Sequence, residues 1–295
     1  MLENPYDTEN VRWKTFQHDP KDPHSLSDNI AYDICEDIST NSLWIGTRGG
    51  LSIYEYGPQV AFQNWSTTHP DNKLPTNEIN SIIRDNKNNI WMGSIGGGVL
   101  FTNTKKYGFE LIDLNLPGIP TGAVRSVFSE GDDTMWMGIG THGLVRYDKK
   151  TGKITSQTEI PEFKEMGLTT IYEIKKRANG EILFGTYGNG LWVYREGEPV
   201  IAYTSENSSF ISDNRIRSIY IDRQQRCWLG TQYGLGVWMG DREGFSFREI
   251  PVDNNRLEPT SLIDITEDDE GRIWIATADN GILSVEGSMR STGDF

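Results

Sequence analysis

A tryptophan-centred pattern recurs six times along the 295 residues, and it limits the possible folds more than any other feature of the sequence. The pattern reads LWIGT, IWMGS, MWMGI, ILFGT, CWLGT and IWIAT. Its central residues are Trp44, Trp91, Trp136, Leu183, Trp228 and Trp274. They are separated by 47, 45, 47, 45 and 46 residues. A period of this length is typical of a blade of four β-strands, the unit of a β-propeller.

Each repeat reads as four short strands, which we label A to D in chain order. Strand A carries an apolar pair, such as Ile79 and Ile82, and a polar turn joins it to the tryptophan strand B. A glycine-rich turn leads to strand C, and strand D is an outer stretch such as FQNW at 62–65 or FREI at 247–250. Turns of these kinds suit antiparallel hairpins. Helical periodicity is lacking, so the pattern predicts an all-β chain.

The six repeats predict a six-bladed β-propeller of four-stranded antiparallel blades. A blade cannot bury both of its faces alone, and a ring leaves no end blade exposed. The last repeat ends after its strand C at 282–285, whereas the chain begins with a strand-like stretch, VRWKTF, at 11–16. We therefore predict that this N-terminal strand closes the last blade. The expected domains are a lead at 1–10, a single propeller at 11–286 and a polar tail at 287–295.

The formal net charge of −14 at pH 7 limits the partners that the chain can bind. Such a charge repels phosphate backbones and anionic lipid headgroups, which argues against nucleic-acid binding. The sequence has no apolar run near the ~18 to 20 residues that cross a bilayer. The start, MLENPYDTEN, lacks the basic and apolar regions of a signal peptide. We expect no membrane contact by this segment.

Several residue types are interpreted as architecture. Cys35 and Cys227 lie in the first and fifth repeats, and we interpret both as small core residues rather than as a disulfide pair. The repeated tryptophan lies in mid-strand, which favours a buried packing role over a sugar-stacking one. Asn29, Asn77 and Asn214 each precede a strand A and are interpreted as turn or cap residues.

Candidate binding residues come from the turns between strands B and C. In a propeller these turns and the D-to-A connections gather at one mouth of the central channel, and such loops commonly carry function. The variable residues of the turns are Arg48, His142, Tyr187, Asn189, Gln232, Tyr233, Asp279 and Asn280. Tyrosine rings suit the C–H faces of sugars, and the polar groups suit hydroxyls, so we predict a site for a polar oligomer such as a glycan. Ordinary solvated loop tips are the alternative.

The residues available for catalysis are few. The four histidines, His18, His24, His69 and His142, lack metal-ligand spacing, and the sequence has no nucleophile elbow. We expect no catalytic residue, no metal and no cofactor. The turn TEDDEGRIW resembles the Asp-box turn of six-bladed sialidases, but Arg48 is the one arginine that the predicted turns place well for a substrate carboxylate. A glycan-active hydrolase and a lyase similar to the streptogramin lyases are the less favoured alternatives.

The repeat also resembles a known family. The strings I-x-x-I-x-x-D, IWMGS or LWIGT, and GGL-x-x-Y, with HDPKDPHSLSDN before the first strand A, closely resemble two-component regulator propeller repeats over about residues 11–286. Five of the six repeats keep the tryptophan and five keep the glycine that follows it. The sensor propellers of this family typically have seven blades each and occur in tandem, whereas this chain has six repeats.

This resemblance implies a function. It is to the periplasmic sensor region of hybrid two-component systems of gut Bacteroidetes, where propellers precede a membrane span, a histidine kinase and a regulator. We therefore expect a non-catalytic, extracytoplasmic input module, periplasmic in location, that responds to glycan fragments. Its partners would be an oligosaccharide or neighbouring propeller and signalling domains, with a possible dimer through a parent protein. The alternative is a protein-interaction scaffold, since an acidic propeller face also suits a basic partner.

Overall fold

A computed structural model describes residues 15–57, 61–103, 109–112, 122–240, 243–247, 250–252, 255–257, 260–268 and 270–285. The chain divides into two compact units, Met1–Leu114 and Asn115–Phe295. The described strands form six sheets of three or four antiparallel strands and one two-stranded hairpin, each built from strands consecutive in the chain. This confirms the predicted fold class, all-β with six β-propeller blades.

The N-terminal unit contains blades 1 and 2. Blade 1 consists of β1 (Ala31–Asp37), β2 (Ser42–Thr47), β3 (Gly50–Glu55) and β4 (Phe62–Trp65). Blade 2 consists of β5 (Ile79–Arg84), β6 (Asn89–Ser94), β7 (Val99–Asn103) and β8 (Glu110–Ile112). One apolar cluster joins the two blades, with Trp44 and Ile53 of blade 1 packed against Ile79 and Met92 of blade 2.

The C-terminal unit contains blades 3 to 6. Blade 3 consists of β9 (Val124–Glu130), β10 (Thr134–Ile139), β11 (Gly143–Asp148) and β12 (Ile154–Ser156), and blade 4 of β13 (Ile171–Lys176), β14 (Ile182–Thr186), β15 (Leu191–Tyr194) and β16 (Ile201–Tyr203). Blade 5 consists of β17 (Ile216–Ile221), β18 (Cys227–Thr231), β19 (Gly234–Gly240) and β20 (Glu243–Phe247), followed by a hairpin of β21 (Ile250–Val252) and β22 (Asn255–Leu257). Blade 6 has three described strands, β23 (Leu262–Glu267), β24 (Ile273–Thr277) and β25 (Ile282–Val285). The helical segments among the described residues are three single turns of 3₁₀ helix, at Gly140–His142, Gln157–Glu159 and Pro161–Phe163.

The repeated tryptophan is a core residue, as predicted. Trp44, Trp136 and Trp228 are almost completely buried, and each packs within an apolar cluster of its unit. Burial of an aromatic side chain of this size is worth up to about 4 to 6 kcal/mol. These three tryptophans therefore belong to the core and are inaccessible to a ligand, whereas Trp274 of blade 6 is half-buried.

The aspartate of the I-x-x-I-x-x-D string has a defined structural role. In blade 2 one oxygen of Asp85 accepts hydrogen bonds from the backbone of Lys87 and Asn89, and the other accepts the indole N–H of Trp91 at 2.9 Å. The same arrangement recurs between Asp222 and Trp228 at 2.8 Å. In blade 6 it recurs between Asp268 and Trp274 at 2.7 Å. One carboxylate thus caps the A-to-B turn and satisfies a buried donor of strand B.

Blade 4 departs from this pattern at both positions together. Leu183 replaces the tryptophan, and Arg177 replaces the aspartate. Blade 4 therefore has neither the indole N–H donor nor the carboxylate acceptor of the hydrogen bond seen in blades 2, 5 and 6. Arg177 instead pairs with Glu181 at 2.8 Å and stacks on Trp238 of blade 5, with its guanidinium carbon 4.6 Å from the ring centroid. In this repeat the residue at the aspartate position contacts the next blade instead of the tryptophan position of its own blade.

The asparagines before strands A cap the chain, as predicted. The side-chain oxygen of Asn29 accepts the backbone N–H of His18, and that of Asn77 accepts the N–H of Thr67. Asn214 accepts the N–H of Ser205 at 2.8 Å in the same way. Each asparagine closes the loop that leads to a strand A, so its role in the fold is structural.

The outer strand of blade 5 differs from its sequence prediction, and the N-terminal segment lies mostly beyond what the structure describes. Strand D of blade 5 is Glu243–Phe247, so the predicted strand at 247–250 is misplaced: Phe247 ends β20 and Ile250 starts the separate β21–β22 hairpin. The predicted N-terminal strand at 11–16 lies mostly outside the described residues. Its last residue, Phe16, packs edge-on against Phe62 of blade 1, with ring centroids 5.4 Å apart.

Candidate ligand-binding site

Every strand A carries a β-bulge at its second residue. In the C-terminal unit the extra residues are Arg125, Tyr172, Arg217 and Ile263. In the N-terminal unit they are Tyr32 and Asn80. A bulged residue leaves the regular alternation of the sheet, and bulges commonly re-aim side chains at binding sites. The bulges lie at the end of strand A that pairs with the B-to-C turn, where binding residues were predicted.

Aromatic and polar side chains from the A-strand bulges and the B-to-C turns come together in blades 4 and 5. We define the Tyr–Arg cluster as Tyr172, Tyr187, Arg215, Arg217, Gln232 and Tyr233. Its members come from strand A of both blades, from the B-to-C turns of both, and from the loop that enters blade 5. All lie within the C-terminal unit.

Arg217 links the two blades. Its Nε donates a 2.8 Å hydrogen bond to Oε1 of Gln232, and its guanidinium carbon lies 5.6 Å from the centroid of the Tyr172 ring. The Tyr172 ring lies 5.7 Å from that of Tyr187. An arginine over an aromatic face gains a cation–π contribution while its remaining N–H groups stay available to a ligand.

Arg215 is held more tightly. Its guanidinium makes a two-pronged interaction with Asp213, with Nε donating to Oδ1 at 2.8 Å and Nη2 to Oδ2 at 2.9 Å. Hydrogen bonding to Asp213 raises the pKa of Arg215 above its ordinary value. The guanidinium carbon also lies 4.8 Å from the Tyr233 ring centroid. Asp213 thus pairs with the charge of Arg215, and the guanidinium of Arg215 packs against the ring of Tyr233.

The B-to-C turn of blade 4 is fixed by its neighbours. The backbone N–H groups of Gly188 and Gly190 both donate to the carbonyl of Asn214 at 3.0 Å. Gly190 has φ of 75°, and a Cβ there would overlap the carbonyl oxygen of Tyr203. A glycine is therefore required. This turn presents Tyr187, which is 46% exposed, from a rigid base.

The structure brings three of the predicted residues together, namely Tyr187, Gln232 and Tyr233. Tyr233 is 43% exposed. Asn189 lies in the same turn as Tyr187, half-buried, and its backbone N–H donates to Thr186. Their role in binding stays a prediction.

The other predicted residues lie apart from the cluster. Arg48 belongs to the N-terminal unit and pairs with Asp28 at 3.3 Å. His142 ends the 3₁₀ turn of blade 3, and its Nδ1 is buried without a hydrogen-bond partner among the described residues. Asp279 and Asn280 are exposed in the B-to-C turn of blade 6.

Sequence reasoning missed Tyr172, Arg215, Arg217 and Arg125. A signal for three of them existed, because the residue after the first apolar position of strand A varies from repeat to repeat as Tyr, Asn, Arg, Tyr, Arg and Ile. Regular alternation assigns this position to the sheet, and the bulge frees it. The view that Arg48 is the one well-placed arginine is therefore wrong.

Other kinds of site are not found in the described part of the chain. No group of three or more His, Cys, Asp or Glu side chains there is arranged to hold a metal ion. Among the same residues, no helix has the length and apolar character to cross a membrane. Cys35 and Cys227 are both free. Cys227 is a buried core residue, as predicted, whereas Cys35 is half-buried against the edge of a core cluster.

A family model named two component regulator propeller matches residues 73–96 and 211–233. These segments span strands A and B of blades 2 and 5 with their flanking turns. Two of the six repeats thus match the model of this family. The same repeat geometry, with its A-strand bulge and B-to-C turn, builds the candidate site in blade 5.

A curated relative and two solved structures resemble this propeller. Histidine kinase P4 of Formosa agariphila is 28% identical over 247 residues, which cover 81% of this chain and 18% of the kinase. The extracellular domain of the putative hybrid two component system BT3049 of B. thetaiotaomicron superposes with a TM-score of 0.69 at 22% identity, over 90% of this chain and 35% of that one. A streptogramin B lyase structure gives 0.64 at 14% identity, over 90% and 86%. The propeller therefore spans about a fifth of the kinase and a third of the sensor domain.

Proposed function

We propose that this propeller is a ligand-recognition module of a two-component sensor and that it binds a glycan fragment at the Tyr–Arg cluster. The observation that carries the proposal is the pair of half-exposed tyrosines, Tyr187 and Tyr233, on adjacent blades, with the guanidinium of Arg217 and the amide of Gln232 beside them. Aromatic faces and fixed hydrogen-bond donors are the groups that suit a sugar ring.

The cluster is also preorganised. Arg215 and Asp213 hold Tyr233, and the carbonyl of Asn214 holds the turn of Tyr187. Side chains that are already ordered lose little conformational entropy on binding, which favours affinity for a small polar ligand.

The proteins that resemble this propeller, a histidine kinase and the extracellular domain of a putative hybrid two component system, support an extracytoplasmic location and a role in signalling. We propose that the propeller faces the periplasm as part of a longer sensor and has no catalytic activity of its own. Ligand binding would signal by favouring one packing of the propeller against neighbouring domains over another.

Calorimetry against plant and host oligosaccharides tests the proposal. We expect heat of binding with at least one glycan and its loss in Tyr187→Ala/Tyr233→Ala. Tyr56→Ala is the matched control, because Tyr56 lies at the far end of strand C in blade 1, next to Tyr54. If the double variant binds as the parent protein does, the cluster is not the site.

Two alternatives have their own measurements. A turnover assay on the same glycans tests a hydrolase or lyase, and product formation that depends on the cluster would replace the recognition proposal. A scaffold function draws support from the charge of −14, which suits a basic protein partner. Salt-sensitive capture of a basic protein without any glycan binding would favour the scaffold.

A further inference from the structure

Arg217 carries a positive charge that no carboxylate of the described residues pairs with. Its described contacts are the amide oxygen of Gln232 and the ring of Tyr172, and no carboxylate of the described residues lies within 4.0 Å of it. Asp213, which precedes the cluster's Arg215 by two residues, is engaged on both oxygens by Arg215.

Arg125 repeats this situation one blade away from Tyr172. It is the bulged residue of β9, and it is half-buried with no carboxylate partner among the described residues. Strands β9, β13 and β17 are neighbours in the C-terminal unit and have the bulge at the same position. The three strands therefore present an arginine, a tyrosine and an arginine in order.

Arginines elsewhere in the described chain are typically paired. The pairs are Arg48–Asp28, Arg84–Asp37, Arg177–Glu181, Arg195–Glu181, Arg226–Asp222 and Arg272–Glu270. With 42 acidic and 28 basic residues, carboxylates are abundant in this protein. Three partly buried guanidinium groups of the described chain have no such partner, and one of them, Arg146, stacks on the buried Trp136. The other two, Arg125 and Arg217, lie on the two strands that flank the strand of Tyr172.

We propose that Arg125 and Arg217 bind an anionic substituent of the ligand, so that the propeller recognises an acidic glycan. This inference rests on the proposed function. A guanidinium group matches a carboxylate or a sulfate by two parallel hydrogen bonds, and such charge-assisted bonds are the strong ones. Tyr172 and Tyr187 supply ring faces for the sugar that carries the anion. Uronic acids and sulfate esters share this chemistry.

The test compares acidic and neutral forms of matched sugars by calorimetry. The probes are oligogalacturonate, its fully methyl-esterified form, a sulfated galactan oligosaccharide and its desulfated form. We expect an acidic form to bind about tenfold or more tightly than its neutral match. Preference for the uronate or for the sulfate then identifies the source of the anion.

Variants assign the preference to residues. Arg217→Gln and Arg125→Gln should each reduce affinity for the acidic sugar toward that of its neutral match, and should lower the salt dependence of binding. Arg195→Gln is the matched control, because Arg195 follows β15 at the opposite end of the blade. Circular dichroism and thermal unfolding verify that each variant is folded.

The outcomes separate the two proposals. Equal binding of acidic and neutral forms, or a preference that survives in Arg217→Gln and Arg125→Gln, overturns the acidic-glycan inference and leaves glycan recognition standing. Absence of binding by all four sugars overturns the inference, while binding of other glycans in the wider panel would still support the proposed function.

Discussion

In three blades a single aspartate serves both the A-to-B turn and the tryptophan of strand B. Asp85, Asp222 and Asp268 each accept backbone N–H groups on one oxygen and an indole N–H on the other. Loss of such a carboxylate leaves a buried donor and a turn without partners, and unsatisfied buried groups are costly. The contribution of these residues to stability can therefore be measured one at a time.

Asp85→Ala should lower the free energy of unfolding by about 2 to 4 kcal/mol, because Trp91 and the turn lose their acceptor. Urea denaturation followed by tryptophan fluorescence measures the change. Asp279→Ala, at an exposed turn, should unfold like the parent protein. A parent-like midpoint for Asp85→Ala would refute the role of this hydrogen-bond network.

The same aspartates predict acid sensitivity. Hydrogen bonds from the indole of Trp274 and the backbone of Arg272 lower the pKa of Asp268. Burial tends to raise the pKa of Asp85, but hydrogen bonds from Asn89 and Trp91 outweigh it and the pKa is lowered. A carboxylate with a folded-state pKa below its unfolded value of about 3.9 stabilises the fold above that value. This stabilisation is lost as the pH falls through the folded-state pKa.

We therefore expect the free energy of unfolding to fall steadily from about pH 5 to pH 3. Denaturation curves at intervals of half a pH unit measure the slope. Asp85→Asn should show a shallower slope than the parent over the same interval. Equal slopes would mean that Asp85 does not contribute to the acid sensitivity.

Both cysteines should be unreactive in the folded protein. Burial raises the pKa of Cys35 to about 11 and that of Cys227 to about 12, so the reactive thiolate is scarce at neutral pH. A colorimetric thiol assay at pH 7.5 should detect little thiol until denaturant is added, and then two per chain. Fast reaction of either thiol without denaturant would contradict the burial of the cysteines.

At the scale of the blade, side chains at the turns also connect one sheet to the next. Lys176 of blade 4 pairs with Glu130 of blade 3 at 3.0 Å, and Arg177 donates to the carbonyl of Gln225 in blade 5 at 3.2 Å. The backbone N–H of Arg223 in blade 5 donates to Glu267 of blade 6 at 3.0 Å. Neighbouring blades are thus joined by side-chain and backbone contacts at their A-to-B turns.

Arg177→Met should destabilise the C-terminal unit by about 3 kcal/mol, because it leaves the largely buried Glu181 without its main partner and removes the contact with Trp238. Arg195→Gln, which removes a more exposed partner of Glu181, should cost less than about 1 kcal/mol. Chemical denaturation compares the two variants. Equal effects would show that burial does not distinguish these ion pairs.

How far the sequence predicts the structure differs between elements. The tryptophan strands could be located because their period and composition repeat, and the B-to-C turns followed from their glycines. The bulges at Tyr172 and Arg217 were not predicted, because regular alternation places every residue of a strand in the ladder; their sequence signal is the variable residue after the first apolar position of strand A. Arg215 was missed for a different reason: it acts through Asp213 two residues earlier, a contact that only the folded turn creates.

At the scale of the whole molecule, the role of the N-terminal segment stays a prediction. Phe16 packs against Tyr54 and Phe62 of blade 1, whereas residues 1–14 lie outside the described structure. The packing of one aromatic ring and the predicted closing strand are separate contributions, and two variants can separate them.

Deletion of residues 1–14 should lower the thermal midpoint if the N-terminal strand completes the last blade. Phe16→Ala should also lower it, because the variant loses the aromatic contacts with blade 1. Differential scanning calorimetry measures both. An unshifted midpoint after the deletion, together with a shift in Phe16→Ala, would rule out the closing role while confirming the packing of Phe16.

The bulge in each innermost strand has a consequence for how such a protein diversifies. Because the extra residue stands outside the ladder, its replacement leaves the pairing and facing of every other residue in the blade unchanged. If ligand binding occurs at the Tyr–Arg cluster as proposed, substitutions at these positions should change ligand preference with little effect on the stability of the fold. A library randomised at these positions should consist largely of folded proteins with altered binding, and this repeat could acquire new specificities without passing through unstable intermediates.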